Sequence, residues 1–352
     1  MKPMKNKTGI IIAAVIMLFA IGIISFLSVD TAEERGGMVF FSIGGVSKLR
    51  NTIEIPLSEA DELWVLYSSK NLEVYPAKGD TVTIKEYLIS DRAEALAEVT
   101  TRTDDATGKR TVEVTGGKMA TITLFGLFAG RERVEVYVPK EGLETLKLRT
   151  KSGNIAAKED FSLKVEKLEA EASSGNIKWH DTNAQELSIQ ASSGNVGLER
   201  MTGNITVKTG SGGIKLREAK GSAVIEVGSG NITVEQFSGQ GTMSAGSGNI
   251  TVEQFSGQGF MEAGSGNVKV EALEVTGDMK LQTGSGNIRL YLPKELSFRF
   301  EAETTSGNIN TSFDEVLSYS KKGNQASGEI KDSSTCLIRA QAKSGNINVT
   351  TK

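Results

Sequence analysis

The chain's whole stock of thiol and imidazole is one cysteine, Cys336, and one histidine, His180. No intramolecular disulfide is possible. A Cys–His dyad or a Cys/His metal site would have to draw these two together from far apart in the sequence. Cys336 lies in the alternating run TCLIRA and reads as a buried structural thiol. His180, in IKWHDTN, reads as a strand-end or turn residue. The other residues with chemical potential are carboxylates at a fixed spacing: Glu235, Glu253 and Glu271 recur every 18 residues. In register they would form a surface charge ladder. Stacked like charges repel by about 0.2–1 kcal/mol per direct neighbour. Lys215, Arg217 and Lys269 share that face, so it reads as a solvated outer face rather than a cation or ligand ladder.

Calcium is the first ion to consider, because nonapeptide rolls bind it with aspartates at their turns. Here that position holds Val234, Val252 and Val270, or Met243 and Met261, and Asp278 is the only aspartate from Thr202 to Leu290. No metal and no cofactor are expected. A lyase or hydrolase would need convergent carboxylates or an acid–base pair, which the pattern does not offer. Phosphate loops fail as well: GSGNIT lacks the third glycine and a following helix, and TGGKMA is no Walker loop. The expectation is a protein that is not an enzyme.

The elements behind these residues are repeats. GSGNITVEQFSGQG stands at residues 228–241 and again at 246–259. The motif [Ser/Thr]-Gly-Asn-[Ile/Val] carries Gly153, Gly175, Gly194, Gly203, Gly230, Gly248, Gly266, Gly286, Gly307 and Gly345. In the middle, Gly194, Gly203, Gly212, Gly221, Gly230, Gly239, Gly248, Gly257 and Gly266 follow one another at nine-residue steps. Such a period marks a repeat architecture. In SGNITVEQF, Ile232 and Val234 alternate with Thr233 and Glu235, giving a strand with one apolar face. The next nonamer places Gly241, Met243 and Ala245 inward, so bulky strands face thin ones, with Phe237 or Phe255 ending the bulky strand. Two strands make one 18-residue coil of a β-solenoid, glycine turns its corners, and the asparagines stack as an amide ladder. Residues 151–352 have room for about eleven coils at about 4.8 Å each.

Upstream, residues 38–150 alternate without a strict repeat and read as an irregular β region that caps the solenoid. Ile122–Gly130, the most apolar stretch there, reads as a buried hairpin turning at Gly126, and residues 312–334 read as a long loop. Residues 9–29 are apolar and uncharged, long enough for a transmembrane helix. The basic tail 1–8 precedes them and the acidic linker 30–37 follows. By the positive-inside rule the N-terminus is cytoplasmic and the rest extracytoplasmic, a single-pass anchor in the cell membrane rather than a cleaved signal peptide. The fold class is therefore all-β: a β-roll-like solenoid, an irregular N-terminal β region and one transmembrane helix. All 43 acidic residues and 37 of the 40 basic ones lie after Val29, a net −6 that suits no nucleic acid.

The stretches ELWVLYSSKNLEVYPAKGDTVTI and VEVYVPKEGLETLKLRTKSGNI, with the serial SGNI and SGNV strands, resemble a bacterial "putative adhesin" family of envelope proteins, a domain of unknown function. The likeness runs from about Gly44 onward. It implies a solenoid at the envelope, often near envelope-stress systems, and no functional residue. Three roles follow as expectations: an adhesion or scaffold module, an accessory protein of an envelope-stress signalling system, and a carbohydrate-active enzyme. The expected partners are the membrane, a cell-wall polymer or envelope proteins, and further copies of the chain.

Overall fold

The computed structural model describes residues 39–42, 46–117, 120–123, 132–331, 334 and 336–352. The predicted anchor at 9–29 and most of the apolar hairpin around Gly126 lie outside the described residues. Among the described residues no helix is long and apolar enough to cross a membrane. Val39–Ser42 and Ala120–Thr123 pair as a small parallel sheet, and every other strand joins one 23-stranded sheet.

The expected solenoid is there. Ile214–Ser229, Ile232–Ser247 and Ile250–Ser265 are successive coils, paired in parallel so that Ile214, Ile232 and Ile250 stand in one column. Each 18-residue coil turns at two glycines. Gly212, Gly230 and Gly248 lie between strands, and Gly203, Gly221, Gly239 and Gly257 bend them midway. All nine period-nine glycines, Gly194 and Gly266 included, have φ between +117° and +157°. That region is strained for a side chain. Space is the second constraint. A Cβ on Gly248 would overlap the carbonyl oxygen of Gly230 in the coil below, and one on Gly257 that of Gly239.

Inside the coil, Ile232, Val234, Met243 and Ala245 are buried as their alternation predicts, and Phe237, one residue out of step, is buried with them. Phe237 and Phe255 stack at 5.5 Å with planes 10° apart. A Cβ on Gly241 would lie 3.1 Å from the Phe237 ring. The Phe237 ring is thus housed by a glycine of its own coil, and the stacked pair adds about 0.5–1.5 kcal/mol beyond burial. The preceding coils fill the same place with Ala219 and Ala223, or Met201 and Ile205.

The asparagine ladder forms through the main chain. The Asn249 backbone N–H donates to Asn231 Oδ1 at 2.8 Å, and Asn267 N–H to Asn249 Oδ1 at 2.8 Å. Side-chain amides join at Asn249, Asn267 and Asn287. Each bond is worth about 0.5–1.5 kcal/mol. The ladder runs from Asn71 through Asn154, Asn176 and Asn195 to Gly213, whose N–H is the last donor before a gap. It resumes at Asn231 and reaches Asn287, Asn346 and finally Asn308.

That order departs from the sequence at both ends. Glu62–Tyr67 and Asn71–Pro76 form a coil of the rod itself, stacked parallel on Thr145–Thr150 and Ile155–Ala157. On its other side lie Arg110–Thr115 and Arg133–Val138. So the stacking begins inside the region expected to be an irregular cap, and the sheet crosses residue 150 without a break. Antiparallel strands Thr81–Leu88, Lys48–Pro56 and Glu98–Thr103 finish this end. At the far end, Leu337–Ser344 and Ile347–Thr351 insert between Val268–Leu292 and Phe298–Thr311. Residues 312–334 are no plain loop, because Gln325–Ile330 and Ser318–Tyr319 add two antiparallel strands outside Phe298–Ser306. Edge-on contacts of Phe313 with Phe298 and Phe300 cover the core beneath them. From Asn154 to Asn308 the ladder passes ten coils, against about eleven expected.

Gly248→Val is expected to cost more than about 3 kcal/mol, since it meets both a forbidden φ and a carbonyl oxygen. Gln240→Val, on an exposed side chain, should stay within about 0.5 kcal/mol of the parent. Urea titration of both variants is the check; equal midpoints would refute the corner assignment.

Candidate functional site

The predicted charge ladder sits midway between the two corner glycines of each coil. Val234 pairs with Val252 and Gln236 with Gln254, which leaves Glu235 and Glu253 between ladder positions, pointing outward. The column is not a bare row of carboxylates. Glu235 meets Lys215 Nζ at 2.9 Å, Glu271 meets Lys352 Nζ at 2.9 Å, and Glu199 meets Arg217 at 3.3 Å. Glu253, in the middle, is exposed and has no ion-pair partner among the described residues. The hydrogen bond and charge of Glu235 raise the Lys215 ammonium above its usual range. Such exposed pairs contribute about 0–1 kcal/mol each. No group of three His, Cys, Asp or Glu side chains among the described residues could hold a metal ion.

Cys336 is buried, its thiol pushed up by desolvation and by the Asp278 charge. His180 is buried beside Trp179, whose indole N–H donates to Thr182 Oγ1 at 2.7 Å. Six coil-to-coil steps separate His180 from Cys336, roughly 29 Å at the usual strand spacing. The structure does not bring the pair together.

Three polar clusters escaped the sequence reading. Glu86 is fully buried and accepts from Tyr67 Oη at 3.0 Å, Asn51 Nδ2 at 2.9 Å and the Ala97 N–H at 2.9 Å. Burial, then the Glu86 charge, raises the Tyr67 phenol well above its ordinary value. The parity of Val82 and Ile84 already places Glu86 inward. Lys70, standing where later coils have the corner glycine, is buried against Glu132. Tyr75 and Tyr137 stack at 5.0 Å on the outer face, with Lys158 and Lys85 over their rings. These clusters close and stiffen the lower end.

A cleft of about 410 Å³ lies at the other end. Leu337–Ser344 supplies Arg339 and Gln341, Phe298–Ser306 supplies Glu301 and Glu303, and the added strands supply Gln325 and Tyr319. Arg339 donates from Nε and Nη2 to Glu301 Oε2 at 2.8 and 2.6 Å. Gln325 Nε2 donates to Glu303 Oε1 at 3.1 Å. Tyr319 is 40% exposed, and its hydroxyl donates to Asp314 Oδ1 at 2.7 Å. Burial, then that bond, pushes the phenol up to about 12. The cleft therefore offers ionised and amide groups that can donate and accept at once.

Fold and surface together define a class: a parallel β-solenoid with serial Ser-Gly-Asn corners, presenting in-register rows of polar side chains. The chain belongs to the Toastrack DUF4097 family, whose model matches residues 60–253 and 236–350. This bears out the resemblance carried by the SGNI and SGNV strands. No curated protein matches the chain. Among solved structures it is similar to a putative cell adhesion protein from Clostridium sporogenes ATCC 15579, at 12% identity over 86% of this chain and 98% of that one, with TM-score 0.21. It is similar too to a putative adhesin from Bacteroides fragilis NCTC 9343, at 13% identity over 88% and 100%, with TM-score 0.37. A third is a putative lipid binding protein from Parabacteroides distasonis ATCC 8503, at 14% identity over 88% and 99%, with TM-score 0.33. At these scores the likenesses add nothing to the fold described above.

The corners hold glycine and asparagine where calcium rolls hold carboxylates, so folding is expected to be indifferent to the ion. In excess chelator the chain should give a strand-rich circular dichroism spectrum and a cooperative melt. Millimolar calcium should move the midpoint by no more than about 2 °C, as for an ion with no preference for the native state. Order that appears only on adding calcium would contradict this.

Proposed function

We propose that this protein is a single-pass, extracytoplasmic scaffold or adhesion rod of the cell envelope, non-enzymatic, whose outer faces hold a wall polymer or an envelope protein. The observation that carries the reading is the amide ladder that runs from Asn71 to Asn308. It is interrupted only at Gly213, where the backbone pairing of Ile214 with Ile232 continues regardless. A stack with one continuous core has no hinge between its coils, and it displays its outer side chains at a fixed repeat over roughly 50 Å. That suits a long repetitive partner better than a single small substrate. The apolar segment 9–29, with Lys2, Lys5 and Lys7 before it and acidic residues after it, supports an outward-facing rod on a retained anchor.

Two experiments test the reading. Protease added to intact, wall-stripped cells should remove the region after Val29 and leave a membrane-held stub; full protection of the C-terminal region would refute the topology. The full chain, purified in detergent, should cosediment with isolated wall sacculi. Complete recovery in the supernatant would refute the polymer-binding role.

A further inference from the structure

We infer that the cleft at the far end of the rod is a binding subsite for a neutral, hydroxyl-rich glycan, one or two sugar units of the wall polymer. This rests on the scaffold reading and names where the polymer is gripped. A volume of about 410 Å³ falls in the range of small-ligand sites.

The argument begins with register. Glu303 pairs with Gln341 on one side and with Gln325 on the other. Glu301 likewise pairs with Arg339 and with Ser327. Two rows of polar groups thus cross three strands, with neighbours about 4.8 Å apart and the rows about 7 Å apart. Ala302, Ala326 and Ala340 are the buried residues between the rows. The outward positions alone carry the chemistry.

Charge then selects the ligand. Arg339 spends two nitrogens on Glu301 Oε2, so this pair is close to neutral while Glu301 Oε1 makes no other hydrogen bond among the described residues. Glu303 keeps Oε2, because Gln325 takes Oε1. The Gln341 amide has no partner among the described residues. A polyanion would meet the uncompensated Glu303 carboxylate here. A metal ion would find too few carboxylates, since no three His, Cys, Asp or Glu side chains meet among the described residues. A sugar can donate hydroxyls to Glu301 Oε1 and Glu303 Oε2 and accept from the Gln341 amide, with no net charge to oppose either. Tyr319 adds apolar surface: its hydroxyl is spent on Asp314, and its ring stacks on no other aromatic among the described residues. A peptide strand gains little, since the strand bordering the cleft, Ser318–Tyr319, has only two residues to pair with.

The test uses the full chain in detergent and sacculi in two forms, untreated and stripped of anionic polymers. Parent protein and the Gln240→Ala control should bind both forms equally. Glu303→Ala, Gln341→Ala and Tyr319→Ala replace outward or exposed side chains on three different strands, and each should melt like the parent. Each should weaken binding to stripped sacculi about tenfold, the loss of one or two ligand hydrogen bonds or of the ring contact. Parent-like binding by all three variants would overturn the cleft assignment and leave the scaffold reading standing. Parent binding that vanishes on stripping would show a polyanionic ligand and overturn the neutral-glycan assignment. Absence of parent binding to both forms would overturn the polymer-binding reading, and the subsite with it.

Discussion

The close approach of backbone to backbone at the glycine corners governs the rest of the molecule. Parallel strands stack at about 4.8 Å, and at a corner that spacing leaves the atoms of one coil directly against the carbonyls of the next. Gly248 over Gly230 and Gly257 over Gly239 show the result: a side chain would occupy the place of a carbonyl oxygen. Once the corners are fixed, the inward parity of Ile232, Val234 and Met243 is fixed, and so is the row of outward groups. The asparagine that follows the corner glycine can then reach the N–H above it with almost no freedom to lose.

The same closeness explains why two copies are identical over 14 residues. Gly241 vacates the space that the Phe237 ring fills, Gly259 lies against the backbone of Gly241, and the two rings stack on each other. A change in one copy would disturb the ring above, so the two coils constrain each other's sequence. Past the identical stretch, half-buried outward positions are under no such rule. Thr242 in one coil is Phe260 in the next, and Ser244 is Glu262.

Most of the coil was legible in the sequence, because period nine reports corners and parity reports burial. Neighbourhood was not. Gly286 is followed in the chain by Gly307, yet it is stacked against Gly345. A motif that marks a coil carries no information about which coil lies next to it. Asn71 escaped notice because Lys70 replaces the glycine, and only the partner Glu132, distant in sequence, makes that burial tolerable. The cleft was hidden for a different reason. Ser318–Tyr319 and Gln325–Ile330 bring little apolar periodicity of their own, and their cover is lent by Phe298, Phe300 and Phe313. The glutamate column was visible, but its ion pairs depend on Lys352 and on a diagonal reach from Lys215.

The interleaved order of the coils at both ends has a mechanical consequence. A strand at the tip of a stack can be peeled off one hydrogen bond at a time. Asn71–Pro76 lies instead between Arg133–Val138 and Ile155–Ala157, and Ile347–Thr351 between Ile288–Leu292 and Ile309–Thr311. Tension that reaches the rod through either segment runs along a strand held on both sides. It must shear two ladders together, as in a lap joint, before anything gives. Such a rod resists being unravelled through these two strands.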